Sequence, residues 1–271
     1  MEIKNVFQEN FKMVKMSKVI IGTTLAKLSV SILKDFLSNQ KEIQQNYPNS
    51  ELVISTSSND NSIIALPKEL KCRIIKYQKL SVISSESLFI PQKNRIQDMV
   101  DGRNVVRNYF LKSDAKYFLS VDADMVYDPN IISILMNEIK NSDIVMSGYM
   151  KKNHRLGYSL GCALIRREVL EKVKFNCLIF PSSPDMPNII EDGWMFEYDA
   201  IQNGFKVNRG VFVEIEHVIN KKERLKVTPR EITTWEKIKT NSAIRYLIVK
   251  LCTLTKRDLP RIIIKKIGGR F

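Results

Sequence analysis

Two carboxylates spaced two residues apart, Asp122 and Asp124, stand where an apolar run ends. Tyr117-Phe118-Leu119-Ser120-Val121 has the length and composition of one buried strand. Asp122-Ala123-Asp124 follows at once, then turn residues at Asp128-Pro129-Asn130 and a helical pattern from Ile131. A strand puts positions i and i+2 on one face, so both acids can converge on a single cation. Mg2+ or Mn2+ takes one or two protein carboxylates and completes its shell with phosphate oxygens. The same pair would also suit a solvated strand end or a helix cap.

Two further positions could carry chemistry. Glu191-Asp192 opens a helix that holds Trp194 and Phe196. Acids in a first helical turn complement the helix dipole, but a carboxylate near a metal–phosphate site could also act as general base toward a hydroxyl. His217 is one of two histidines and sits at a strand end, where an imidazole could complete a metal site. His154, in the basic loop Lys151–Arg155, has a weaker case.

These residues need a scaffold, and the chain reads as α/β. Lys18–Thr24 is an expected strand running into a turn, followed by a helix through Leu25, Leu28, Ile32, Leu33 and Phe36 that stops at Asn46-Tyr47-Pro48-Asn49. Leu52–Ile54 and Cys72–Tyr77 are further strands, and Ile96 to Phe110 forms a helix carrying Arg103 and Asn104. After the acidic strand come a helix from Ile131, strands at Asp143–Tyr149 and Tyr158–Arg166, an irregular Pro181–Pro187 loop, a helix over Glu191–Gln202 and a strand over Phe205–Val213. Strand–helix–strand order predicts a mostly parallel sheet flanked by helices. Residues 17–220 form one α/β domain on this reading, and 221–271 a basic, mainly helical extension.

Composition narrows the partners. The 271 residues are enough for a real core, and the net charge of +14 asks for an anionic partner: nucleic acid, a phosphorylated substrate or an anionic membrane. Cys72, Cys162, Cys177 and Cys252 are far apart with no C-x-x-C pair, which argues against zinc and for free thiols in a reducing compartment. Met1–Met16 lacks the apolar core of a signal peptide, and no uncharged apolar run approaches membrane-spanning length. The expected location is cytoplasmic, with peripheral contact to a membrane.

In order, Arg103-Asn104, Tyr117 to Val126 with its Asp-Ala-Asp, Gly161-x-Ala163, Glu191-Asp192-Gly193-Trp194 and Asn203-Gly204-Phe205 resemble glycosyltransferases of the GT-A fold, in the family-2-like group. The resemblance runs from about Lys18 to about His217 and rests on order and spacing. It implies a Rossmann-like GT-A domain and a hexosyltransferase that moves a sugar from a nucleotide-diphosphate donor to a glycan, lipid-linked or protein acceptor. It implies that a divalent metal is held by Asp122, Asp124 and His217, and that Arg103 and Asn104 face the donor with Asp122. Gly161 and Cys162 would border the acceptor, with Trp194 nearby. Asp192, with Glu191 beside it, would be the general base of an inverting reaction. The chain departs from the family at Gly22-Thr23-Thr24-Leu25 and Ser57-Ser58-Asn59-Asp60, so Thr23 and Asp60 are only candidates for the nucleobase pocket.

Two other classes compete. Val121 to Val126 also resembles the nucleophile motif of haloacid-dehalogenase-type phosphatases, with Asp122 attacking phosphate. That motif normally opens its domain, whereas several strands precede it here, and no later Asp-Asp pair follows in the expected place. A non-catalytic nucleic-acid or membrane binder would suit the charge. Basic residues interleaved with aromatics are sparse, so specific nucleic-acid recognition is not expected. In the tail, Ile244, Leu247, Ile248, Leu251 and Leu254 share one helical face among Arg245, Lys250, Lys256 and Arg257. That face suits either packing on the domain or peripheral binding to anionic lipid.

Overall fold

The computed structural model describes residues 16–25, 30–57, 69–78, 90–150, 156–179, 189–190, 192–220, 223–227 and 242–255. Leu28, Asp60, the basic loop 151–155, the proline segment 181–187 and Glu191 lie outside them.

The first strand, β1 (Val19–Leu25), is followed by α1 (Val30–Asn46), β2 (Ser50–Ser57), β3 (Cys72–Tyr77), α2 (Ile90–Lys112) and β4 (Tyr117–Val121). Val19, Ile20 and Ile21 are all fully buried, as a parallel strand covered on both faces requires. Successive side chains feed opposite layers: Val19 and Ile21 join Phe36 and Leu33 of α1, while Ile20 joins Val106 and Phe110 of α2. The chain then forms β5 (Met125–Tyr127), α3 (Ile131–Glu138), β6 (Ile144–Met150), β7 (Leu156–Arg166) and α4 (Arg167–Lys172). A two-residue pair, β8 (Leu178–Ile179) and β9 (Ile189–Ile190), precedes α5 (Asp192–Gln202), β10 (Val207–Val211), β11 (Ile215–Val218), β12 (Arg224–Val227) and α6 (Ser242–Thr255).

Seven strands make the main sheet in the order β10-β6-β7-β4-β1-β2-β3. Only β7 runs against the rest, antiparallel to both β4 and β6. The mostly parallel α/β sheet expected from the sequence is therefore present. Its order reverses between β1 and β4: the chain leaves β1 toward β2 and β3, and later returns to β1's other side as β4. Crevices that bind ligands open beyond the carboxyl ends of strands at such a reversal. Asp122 follows the last residue of β4.

Four stretches differ from expectation. Leu25, expected in the first helix, closes β1. The strand expected over Leu52–Ile54 runs on through Ser55, Thr56 and Ser57, which are buried because β3 pairs with all three and β1 with the first two. The strand expected over Phe205–Val213 ends at Val211, and β11 belongs to a second sheet, ordered β12-β11-β5. β12 lies past the expected boundary at 220/221 yet pairs with β11, so the β11–β12 hairpin crosses it.

Candidate active site

Five side chains meet at this end of the sheet. Arg103 projects from α2 and is 7% exposed. One of its terminal nitrogens donates to Asp192 at the start of α5, and the other donates to Asp122 Oδ1 at 2.9 Å. Beside them, His217 Nε2 of β11 lies 3.2 Å from Asp124 Oδ2. The structure thus draws Arg103, Asp122 and Asp192 into one cluster, with Asp124 and His217 adjoining.

Local packing explains how each is placed. A Cβ at Gly102 would lie 2.3 Å from Thr24 Cγ2 and 2.9 Å from Ser55 Oγ, so only glycine lets α2 press onto β1 and β2 one residue before Arg103. A Cβ at Gly161 would lie 2.5 Å from Asp122 Oδ2, so this position on β7 makes room for the carboxylate. The Asp122 amide donates to the Tyr127 hydroxyl at 2.8 Å, and that hydroxyl donates to the Gly161 carbonyl at 2.7 Å. Asn39 of α1 fixes Tyr127 in turn: its amide donates to the Tyr127 carbonyl at 2.7 Å and accepts from the Tyr127 N–H at 2.8 Å. The Asp124 carbonyl accepts the Val218 N–H at 2.8 Å, which ties the acidic turn to β11. His217 also meets the Tyr149 ring edge-on at 6.4 Å.

Burial pushes the Asp122 carboxyl above the usual range; Arg103 pulls it back, Asp124 pushes it further up and His217 opposes that. Crowded carboxylates beside an imidazole form a donor set that suits a divalent cation. Among the described residues, however, no three His, Cys, Asp or Glu side chains are gathered as a ready ligand cluster. The expected trio is instead split: Asp124 pairs with His217, and Asp122 turns to Arg103.

Other expected residues divide. Thr23 is 2% exposed near the carboxyl end of β1, and its Oγ1 has no hydrogen-bond partner among the described residues. Trp194 is partly exposed in the first turn of α5. Two residues are turned elsewhere. Asn104 donates to the Phe175 carbonyl at 2.9 Å and accepts the Phe175 N–H at 3.1 Å, because its helical offset from Arg103 aims it at the segment after α4. Cys162 is fully buried in the core opposite Val121, because strand alternation points it away from the surface. Sequence reasoning missed Tyr127, Asn39 and Tyr149. Met125, Val126 and Tyr127 are all apolar and too few to show a period, so neither β5 nor Asn39 carried a readable signal.

No protein-family model and no curated protein matches the chain. Among solved structures it is similar to the mannosyltransferase PcManGT from Pyrobaculum calidifontis, solved with GDP-Man and Mn2+, at 10% identity and a TM-score of 0.49 over 72% of this chain and 55% of that one. It is also similar to S. aureus TarS 1-349 at 14% identity and 0.47, over 72% of this chain and 59% of that one. The galactosyltransferase LgtC, solved with donor and acceptor sugar analogues, gives 9% and 0.40, over 71% and 73%. The chain spans less than two thirds of the first two. At such low identity and partial overlap, nothing about donor, acceptor or mechanism transfers from those proteins to this chain.

Proposed function

We propose that the protein is a GT-A-type glycosyltransferase that moves a sugar from a nucleotide-diphosphate donor to an acceptor hydroxyl. One observation carries the reading: Arg103 joins Asp122, at the carboxyl end of β4, to Asp192, at the start of α5. The sheet order reverses there, and on this reading Asp122 would bind a cation, Arg103 phosphate, and Asp192 the proton to be removed.

Asp122, Asp124 and His217 would hold a divalent metal, which when bound would neutralise charge on the leaving diphosphate. Arg103 adds a planar cation suited to phosphate oxygens. Asp192 accepts the proton of the acceptor hydroxyl, whose oxygen bonds to the anomeric carbon. The bond from that carbon to the diphosphate oxygen breaks, and its electron pair leaves with the nucleoside diphosphate. Attack from the face opposite the leaving group inverts the centre. The acceptor class is glycan, lipid-linked or protein. Thr23, Gly161 and Trp194 line this reading, whereas Asn104 and Cys162 serve as structural supports. The chain divides on the same reading into a catalytic domain and the basic extension.

The test is a thermal-shift titration with UDP- and GDP-sugars, with and without Mn2+ or Mg2+. One nucleotide class should raise Tm only with metal, since a ligand at 100 times Kd adds about 2.7 kcal/mol to the folded state. Asp124→Ala should lose that metal-dependent shift while keeping its unliganded Tm within a few degrees. If no donor shifts the wild type in the presence of metal, the reading is wrong.

A further inference from the structure

The last helix meets the body of the protein along one side. The Tyr246 ring of α6 stacks on Tyr198 of α5 at 5.2 Å between centroids, and Gln202 donates to the Tyr246 hydroxyl. Val249, one turn on, is 1% exposed. Leu247, Leu251 and Leu254 point elsewhere, at 55%, 45% and 71% exposure. Spacings of four and three residues put these leucines on a single stripe, roughly opposite the Tyr246–Val249 side. Single exposed leucines are ordinary on protein surfaces, but an aligned row on one helix is a contact surface.

The charge around the stripe says what it meets. Residues 242–271 carry eight Lys and Arg against one Asp, which is half the net +14 of the chain in about a ninth of its length. Lys250 is exposed beside the stripe, with its ammonium 5.7 Å from the Tyr246 ring centroid. A second copy of the chain would bring the same excess of positive charge to the contact and be repelled. A nucleic-acid backbone would accept the cations but leave the leucines in water. A surface with apolar depth beneath a layer of anions satisfies both features.

We propose that the outer face of α6 docks on an anionic membrane surface. The leucines enter the boundary between headgroups and acyl chains, and each nearby Lys or Arg adds attraction to an anionic leaflet. Among the described residues no helix is long and apolar enough to cross a membrane, so the contact is one of lying on the surface. This inference does not depend on the transferase reading, and its failure would leave that reading standing.

The experiment is co-sedimentation of the full chain with vesicles of phosphatidylcholine alone or mixed with phosphatidylglycerol. It is repeated for Leu247→Glu/Leu251→Glu/Leu254→Glu and for the milder Leu247→Ser/Leu254→Ser. The wild type should pellet with the anionic vesicles only, and high salt should release it. Both variants should keep the wild-type Tm, and the triple variant should bind at least about tenfold more weakly. Equal pelleting of wild type and variants overturns the proposal. So does a wild type that shows twice the monomer mass in equilibrium sedimentation while the triple variant is monomeric, because the stripe would then be a contact between copies.

Discussion

Asp192 and Tyr127 act on the same cluster in different ways, and their variants should separate chemistry from support. Asp192→Asn keeps the shape at α5 but removes the base, so turnover should fall by about 10^2- to 10^4-fold with donor affinity little changed. Steady-state kinetics with a nucleotide-binding assay checks this, and unchanged turnover would remove Asp192 from the mechanism. Tyr127→Phe deletes the hydroxyl shared by the Asp122 amide and the Gly161 carbonyl. The Asp122 N–H also donates to the Gly161 carbonyl at 3.3 Å, so both groups keep a partner and the variant should lose only about 1 kcal/mol in denaturant unfolding. At this scale the sequence was legible where spacing along one strand does the work, as at Asp122 and Asp124. It was illegible where a partner arrives from a remote element. That Arg103 would meet Asp192 follows from the sheet order, while nothing in the local pattern of α1 marks Asn39 as the clamp on β5.

Helix α5 carries Asp192 and is held at more than one point. Beyond the contact with Arg103, Glu197 of α5 forms an ion pair with Arg209 of β10, both side chains being 4% exposed or less. Removing one partner leaves a buried charge without its counterpart. Glu197→Ala should therefore cost about 3–5 kcal/mol, whereas the paired replacement Glu197→Leu/Arg209→Met should cost far less or nothing. Chemical denaturation of the wild type and both variants checks this; a double variant that loses as much stability as Glu197→Ala would mean the stranded charge is not what the single change costs. The helices and parallel strands were legible because buried strands and amphipathic helices announce themselves by period. β5, β11 and β12 were not, since strands of three or four residues hold too few repeats and gain their identity from one another. The strand expected over Leu52–Ile54 stopped short for a related reason: the hydroxyls of Ser55, Thr56 and Ser57 carry no strand signal, and only the neighbouring strands show that they are covered.

Among the described cysteines, Cys162 is the one sealed in the core. Burial pushes Cys162 from 9.0 up to about 12. Between those limits the unfolded chain has lost the thiol proton while the native protein keeps it. This thiol therefore lowers stability as pH rises from 9 toward 12, by up to about 1.4 kcal/mol per pH unit. Urea unfolding across that range should show the decline, and Cys162→Ala should make it less steep, the rest coming from groups such as Cys72 that burial also raises to about 12; an unaltered slope would mean the Cys162 thiol is not sealed. The same tightness governs a less obvious property. β5 is the outer strand of the small sheet, with β11 on one side only. Asn39 supplies a donor and an acceptor to Tyr127 from the other side, as a neighbouring peptide would. A helix side chain has thus finished a sheet, and a stray strand from a misfolded or crowded neighbour finds both peptide groups of Tyr127 already taken. Asn39→Ala would reopen that edge, so the residue that steadies the acidic turn also guards the protein against strand-by-strand aggregation.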